Sequence, residues 1–100
     1  MSSRHYSYRI TVTPTGAPDP DAPLSSPFSF EATNHDDILA LIGKAGAKIG
    51  LKPDAAASTI VGLKLLSEVM LREKTNPLFD PMREGMRAFI MSLKERARKE

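Results

Sequence analysis

Polar and apolar positions alternate with period two in two places. Between His5 and Thr13, Tyr6, Tyr8, Ile10 and Val12 share one parity, while Ser7, Arg9, Thr11 and Thr13 share the other. Aromatic and β-branched residues in that rhythm predict a half-buried strand over about 5–13, closed by Pro14. The alternation returns as Phe28, Phe30 and Ala32 against Ser29, Glu31 and Thr33, a second strand over about 27–33. Residues 14–26, PTGAPDPDAPLSS, hold four prolines, two Asp and no cation. An extended acidic loop joining an antiparallel pair is the simplest connection, although it is long for a hairpin.

The period then changes to that of a helix. Ile38, Leu41, Ile42 and Ala45 make an apolar stripe, and a first helix is predicted over about 35–48. Asn34 is its expected N-cap, with Asp36 and Asp37 in a first turn that favours carboxylates. Gly43, Gly46 and Gly50 each cost roughly 1 kcal/mol relative to Ala inside a helix, so this helix frays or breaks between 43 and 50. Pro53-Asp54 opens a second helix over about 54–74. There Lys64, Glu68 and Arg72 recur every four residues as one polar stripe, and the remaining directions around the axis carry Ile, Val, Leu and Met. A helix apolar over most of its circumference is buried on several sides, so this segment is the expected central rod. Its Leu66→Ala variant should lose about 2–5 kcal/mol, and Glu68→Ala, on a solvated stripe, a few tenths. Asn76-Pro77 stops the rod. Asp80 as cap and Pro81 at N1 start a third helix over about 81–97, whose inner face carries Met82, Met86, Phe89, Ile90, Leu93 and Ala97. The predicted fold is α+β, a two-stranded antiparallel β ribbon packed on three α-helices in a single domain, 1–100.

Composition sharpens this picture mainly by exclusion. With 100 residues, 41% of them hydrophobic and 26% charged, the chain can fill one core but not two. It has no cysteine, so disulfides, thiolate zinc sites and a cysteine nucleophile are excluded. The start MSSRHYSYR carries no apolar run suited to a signal peptide, and no apolar segment reaches the ~20 residues of a membrane span. A cytoplasmic protein with no membrane partner is expected. The net charge of +2 conceals an asymmetry. Residues 1–37 hold two Arg against five Asp/Glu, giving −3, and residues 38–100 hold twelve Lys/Arg against seven, giving +5. That is too mild a basic half to argue for nucleic acid by itself.

Three segments carry a resemblance: Tyr8-Arg9-Ile10-Thr11-Val12-Thr13-Pro14; Phe28-x-Phe30 followed by Asn34-His35-Asp36-Asp37-Ile38; and Gly62-Leu63-Lys64-Leu65-Leu66-Ser67-Glu68-Val69-Met70-Leu71 running on to Asn76-Pro77-Leu78-Phe79. In this order and spacing the chain resembles a family of small bacterial proteins known as domain of unknown function 3861. The resemblance implies a compact α+β domain and assigns no activity. The glycine-rich GKAGAKIG departs from the more charged stretch of the family, which leaves the course of residues 43–52 open.

Few residues suggest chemistry. Ile42-Gly43-Lys44-Ala45-Gly46-Ala47-Lys48-Ile49 is similar to the Ile-Gly-x-x-Gly-x-x-Ile loop of KH domains, where small glycines let a single-stranded phosphate backbone approach. Gly43, Lys44, Gly46 and Lys48 are therefore the candidate nucleic-acid contacts, although a KH sheet needs a third strand and none is predicted. His35-Asp36-Asp37 offers an imidazole and two carboxylates, but adjacent helical residues point about 100° apart, so a capped helix start is the reading and no metal or other cofactor is expected. The basic end Lys94-Glu95-Arg96-Ala97-Arg98-Lys99 is diluted by Glu95 and Glu100 and reads as a solvated helix terminus. No catalytic constellation is visible, so no enzyme is expected. The leading expectation is a non-enzymatic module that binds protein, with KH-like nucleic-acid binding as the alternative and an enzyme last. Strand edges are also partner sites. The first strand, with Tyr6, Tyr8, Ile10 and Val12, is guarded only by Arg9, and pairing of two copies along it predicts a homodimer.

Overall fold

Two strands, each seven residues long, pair antiparallel: β1 (Tyr6–Val12) and β2 (Phe28–Asn34), in a register running from Tyr6↔Asn34 to Val12↔Phe28. The computed structural model describes residues 4–98; Lys99 and Glu100, the end of the basic tail, lie outside the described residues. The polar parity of the ribbon forms cross-strand pairs, Arg9 Nε donating to Glu31 Oε2 at 2.8 Å and the Thr11 and Ser29 hydroxyls meeting at 2.8 Å. The other parity stacks Tyr8 with Ala32 and Ile10 with Phe30. After the ribbon come α1 (Ile38–Ala45), α2 (Pro53–Arg72), a single 3-10 turn (Pro77–Phe79) and α3 (Asp80–Arg98). The α+β architecture is the predicted one.

The junction between ribbon and helices differs from the expectation in an instructive way. Helix α1 begins at Ile38 rather than near residue 35, because Asn34 is not its cap. Asn34 is the last residue of β2 and only 2% exposed. Its Oδ1 accepts from the Asp36 N–H at 2.9 Å and its Nδ2 donates to the Lys64 carbonyl at 2.8 Å. The first bond makes an Asx turn that redirects the chain; the second fastens the strand end to the middle of α2. The cap passes to Asp37, whose Oδ1 accepts from the Ala40 N–H at 3.1 Å. Tyr8 reaches into the same corner, its hydroxyl accepting from the Ile38 N–H at 2.8 Å and donating to the Asp36 carbonyl at 3.2 Å. The side chains of Tyr8, Asn34 and Asp37 thus fix the helix start against both strands.

Helix α1 stops at Ala45 instead of 48. Gly46 is its C-cap, and the turns after it end at Gly50 with φ +80°, a conformation that disfavours any side chain. Asp80, the expected cap of the third helix, is its first residue, because Pro77 opens a 3-10 turn just ahead of it, capped by the Asn76 side chain accepting from the Leu78 N–H at 3.0 Å. Arg83 ties α3 back to α2: its guanidinium donates to the Met70, Glu73 and Asn76 carbonyls at 3.3, 2.8 and 3.0 Å. The Glu73 and Asn76 carbonyls also accept from the Asn76 and Phe79 N–H groups, so Arg83 adds a second donor at the turn that follows α2.

The core gathers where α1, α2 and the ribbon meet. Ile38, Ile49, Ala56 and Ile60 are buried there, with Tyr8, Leu41, Ile42, Val61, Leu65 and Leu93 packed around them. Helix α2 is central, flanked by α1 and β2, with Leu93 of α3 packed against the same core. Val69 and Leu71 are 46% and 52% exposed, and no residue of α3 is buried. No helix among the described residues is long and apolar enough to cross a membrane.

Candidate functional site

The site that the fold builds lies where both strand ends meet the middle of α2. In the ribbon, opposed residues have numbers that sum to forty, as in Arg9↔Glu31. One rung beyond Tyr6↔Asn34 the same rule sets His5 against His35, and their rings meet edge to face with centroids 4.4 Å apart. The Asn34–Lys64 bond holds α2 at this end of β2, and one helical turn after Lys64 comes Glu68, over the same strand end. His35 Nδ1 lies 3.1 Å from Glu68 Oε1, and Arg72 Nε donates to Glu68 Oε2 at 3.0 Å. Arg72 also donates to the Thr33 hydroxyl, and Lys64 Nζ bonds Asp36 Oδ2 at 2.6 Å.

The predicted solvated stripe Lys64–Glu68–Arg72 is therefore corrected. It faces the ribbon, each member has a partner there, and Glu68 is buried with 7% of its surface exposed. Burial pushes the Glu68 carboxyl up, but the hydrogen bonds and charges of His35 and Arg72 outweigh it and hold the group below the usual carboxylate range. The sign of the consequence follows from linkage. A carboxylate with a depressed folded pKa stabilises the native state above its unfolded pKa, about 4.3, and this contribution disappears as pH falls through the folded value. Glu68→Gln should accordingly be less stable than the parent at pH 7, with the gap closing below about pH 4. Urea unfolding of both proteins across that range measures it. A gap independent of pH would mean that the Glu68 charge adds nothing.

Beside this cluster a groove of about 580 Å³ opens between α1, α2 and α3. Leu41, Leu63, Ile90 and Leu93 are among its apolar walls, and His35, Lys64, Glu68 and Lys94 bring polar atoms to it. Ser67 also lines it, its hydroxyl 3.4 Å from the Lys64 carbonyl.

The nucleic-acid and strand-edge residues singled out from sequence lie elsewhere. Gly43 and Lys44 are in the last turn of α1, Gly46 is its C-cap, and Lys48 sits in the turns that follow. Ile49 of the same motif is buried in the core. A Cβ at Gly46 would run into the Ile42 carbonyl oxygen and reach Ala56 of α2, whereas nothing lies near one at Gly43. Among the described residues the sheet has two strands. On the expected pairing edge Tyr8 and Ile10 are half-buried, while Tyr6 and Val12 are exposed. No local motif joins His5 and Glu68 to His35. The available signal was the hairpin register, which needs the length and course of the 14–26 connection before it can be fixed.

The family described as "Domain of Unknown Function with solved-structure structure (DUF3861)" matches residues 6–95. A crystal structure of a protein of unknown function from Pectobacterium atrosepticum is similar at 36% identity and a TM-score of 0.77, over 90% of this chain and 97% of that one. No curated protein matches the chain.

Proposed function

We propose, from the premise that this chain belongs to the DUF3861 family, that it is a non-enzymatic interaction module whose first partner is a second copy of itself. The observation that carries this reading is surface that the fold leaves uncovered. A folded monomer of 10.9 kDa should expose about 5,600 Å², and this chain exposes 7961 Å². Its radius of gyration is 16.0 Å, against about 13 Å for a compact domain of 100 residues. The open 14–26 connection, exposed almost throughout, accounts for part of the excess, and an obligate homodimer covers about 1,000–2,500 Å² on each chain. Val12, Phe28 and Phe30 at the far end of the ribbon are 60%, 66% and 39% exposed, an apolar patch continuous with the outer edge of β1. That edge has no strand partner among the described residues, whereas β2 has α2 alongside.

Pairing of two β1 strands about a two-fold axis would make a four-stranded sheet in the order β2–β1–β1–β2 and satisfy the open backbone groups of both edges. Arg9 is the one charge on β1, and Glu31 neutralises it within each chain, so two copies can approach. Light scattering at micromolar concentration should give the mass of a dimer, and a monomer mass would end this reading. Residue-resolved hydrogen exchange then locates the contact. Alternate amides of Tyr6–Val12 point away from β2 and should be protected in the dimer. Fast exchange at all of them would move the second copy to another face.

A further inference from the structure

We propose that His5, His35 and Glu68 form a binding site for one divalent transition-metal ion, zinc foremost. They come from three separate places, ahead of β1, just after β2 and toward the C-terminal end of α2, yet their three donor atoms all lie within 4.8 Å of one another. Two imidazoles and one carboxylate, with a fourth position open to water, is a recurrent zinc donor set. Ligands of a tetrahedral zinc at about 2.0–2.1 Å stand about 3.3 Å apart. The His35 Nδ1 to Glu68 Oε1 distance of 3.1 Å is already close to that edge. The His5 ring lies edge to face against His35, with centroids 4.4 Å apart, so modest side-chain adjustment is enough to close the 4.8 Å set to that spacing.

The surroundings suit a ligand set better than a simple ion pair. Glu68 uses its two oxygens differently: Arg72 Nε holds Oε2, while Oε1 is turned to the histidines. Arg72 is itself fixed to Thr33 of β2. An orienting partner of this kind behind a ligating carboxylate is what metal centres use to set ligand direction. Glu68 is buried whereas the His35 side chain is 54% exposed, so the site has a buried anchor and an open approach for an ion. Asp36, the carboxylate next to His35 in the chain, is paired with Lys64. The register supplies the two histidines and the Asn34–Lys64 bond supplies the helix, so the three donors depend on the fold and not on any local motif.

The test uses the untagged, metal-free full chain, titrated with zinc(II) against a colorimetric chelator and separately with cobalt(II). One zinc per chain is expected, with the visible absorption of a four-coordinate cobalt complex in the parallel titration. His5→Ala should weaken zinc binding by about tenfold or more, and Glu68→Gln likewise. Circular dichroism checks that each variant stays folded. If Glu68→Gln unfolds, His5→Ala decides alone, since His5 lies outside both the strand ladder and the core. Zinc that fails to bind the parent protein would overturn the proposal, and so would zinc held as tightly by His5→Ala. Because the readout is metal per chain, it is independent of whether the chain is a monomer or a dimer.

Discussion

Ile60→Ala should lower the free energy of unfolding by about 2–5 kcal/mol, the range for removing a buried large aliphatic side chain. Ile60 is 6% exposed and sits among Ile38, Ile49 and Ala56, where α1, α2 and the turns before α2 converge. The loss has two parts, the transfer free energy of the missing methyl and methylene groups and the cavity left behind. The core of this chain is small, since the buried apolar residues are Ile38, Ile49, Ala56, Ile60 and Met70. One truncation there removes a large share of a total stability that for a domain is about 5–15 kcal/mol. Urea denaturation should show a lower midpoint with an unchanged slope. Leu66→Ala, expected from sequence to be equally severe, should cost less, because Leu66 is only half-buried. If the two truncations cost the same, the core extends further along α2 than the burial of its residues indicates.

Asn34→Asp should be comparably damaging although it changes the side chain by one group. The amide donates to the Lys64 carbonyl and accepts from the Asp36 N–H, both within 2.9 Å, at a position 2% exposed. A carboxylate preserves the second bond and destroys the first, setting a negative oxygen against a carbonyl oxygen. The Lys64 carbonyl keeps its neighbours within α2, the Ser67 hydroxyl among them, so the cost comes from losing the amide bond, about 0.5–1.5 kcal/mol, and from burying the new charge or forcing the carboxyl to stay protonated. A loss of roughly 2–5 kcal/mol at neutral pH, shrinking as the pH is lowered, is the expected outcome of thermal or urea unfolding. The acid recovery distinguishes a buried charge from a merely looser turn. Asn34→Asp with parental stability at pH 7 would show that α2 is held to the ribbon by packing alone.

The two strands and three helices follow from the sequence because their signals are local. Period-two alternation at Tyr6–Val12 and the apolar positions of residues 54–74 need no partner to be recognised. Pro53 and Pro77 set helix starts, and Gly46 and Gly50 set the end of α1, through backbone geometry that each residue carries with it. The roles of the polar residues were not local. Asn34, read as a helix cap, proved to be a bolt to α2, because its 30-residue distance from Lys64 in the chain is closed only when β2 docks. Glu68 shows the same limit. A four-residue spacing says that Lys64, Glu68 and Arg72 share a line on a helix, but whether that line meets water or a strand end depends on where the helix is placed. The His5–His35 pairing depends in turn on a hairpin register that no stretch of sequence states alone. Side-chain periodicity is a property of one element, and it determined the elements of this protein. The convergence of His5, His35 and Glu68 belongs to three elements at once, so only the tertiary structure could decide it.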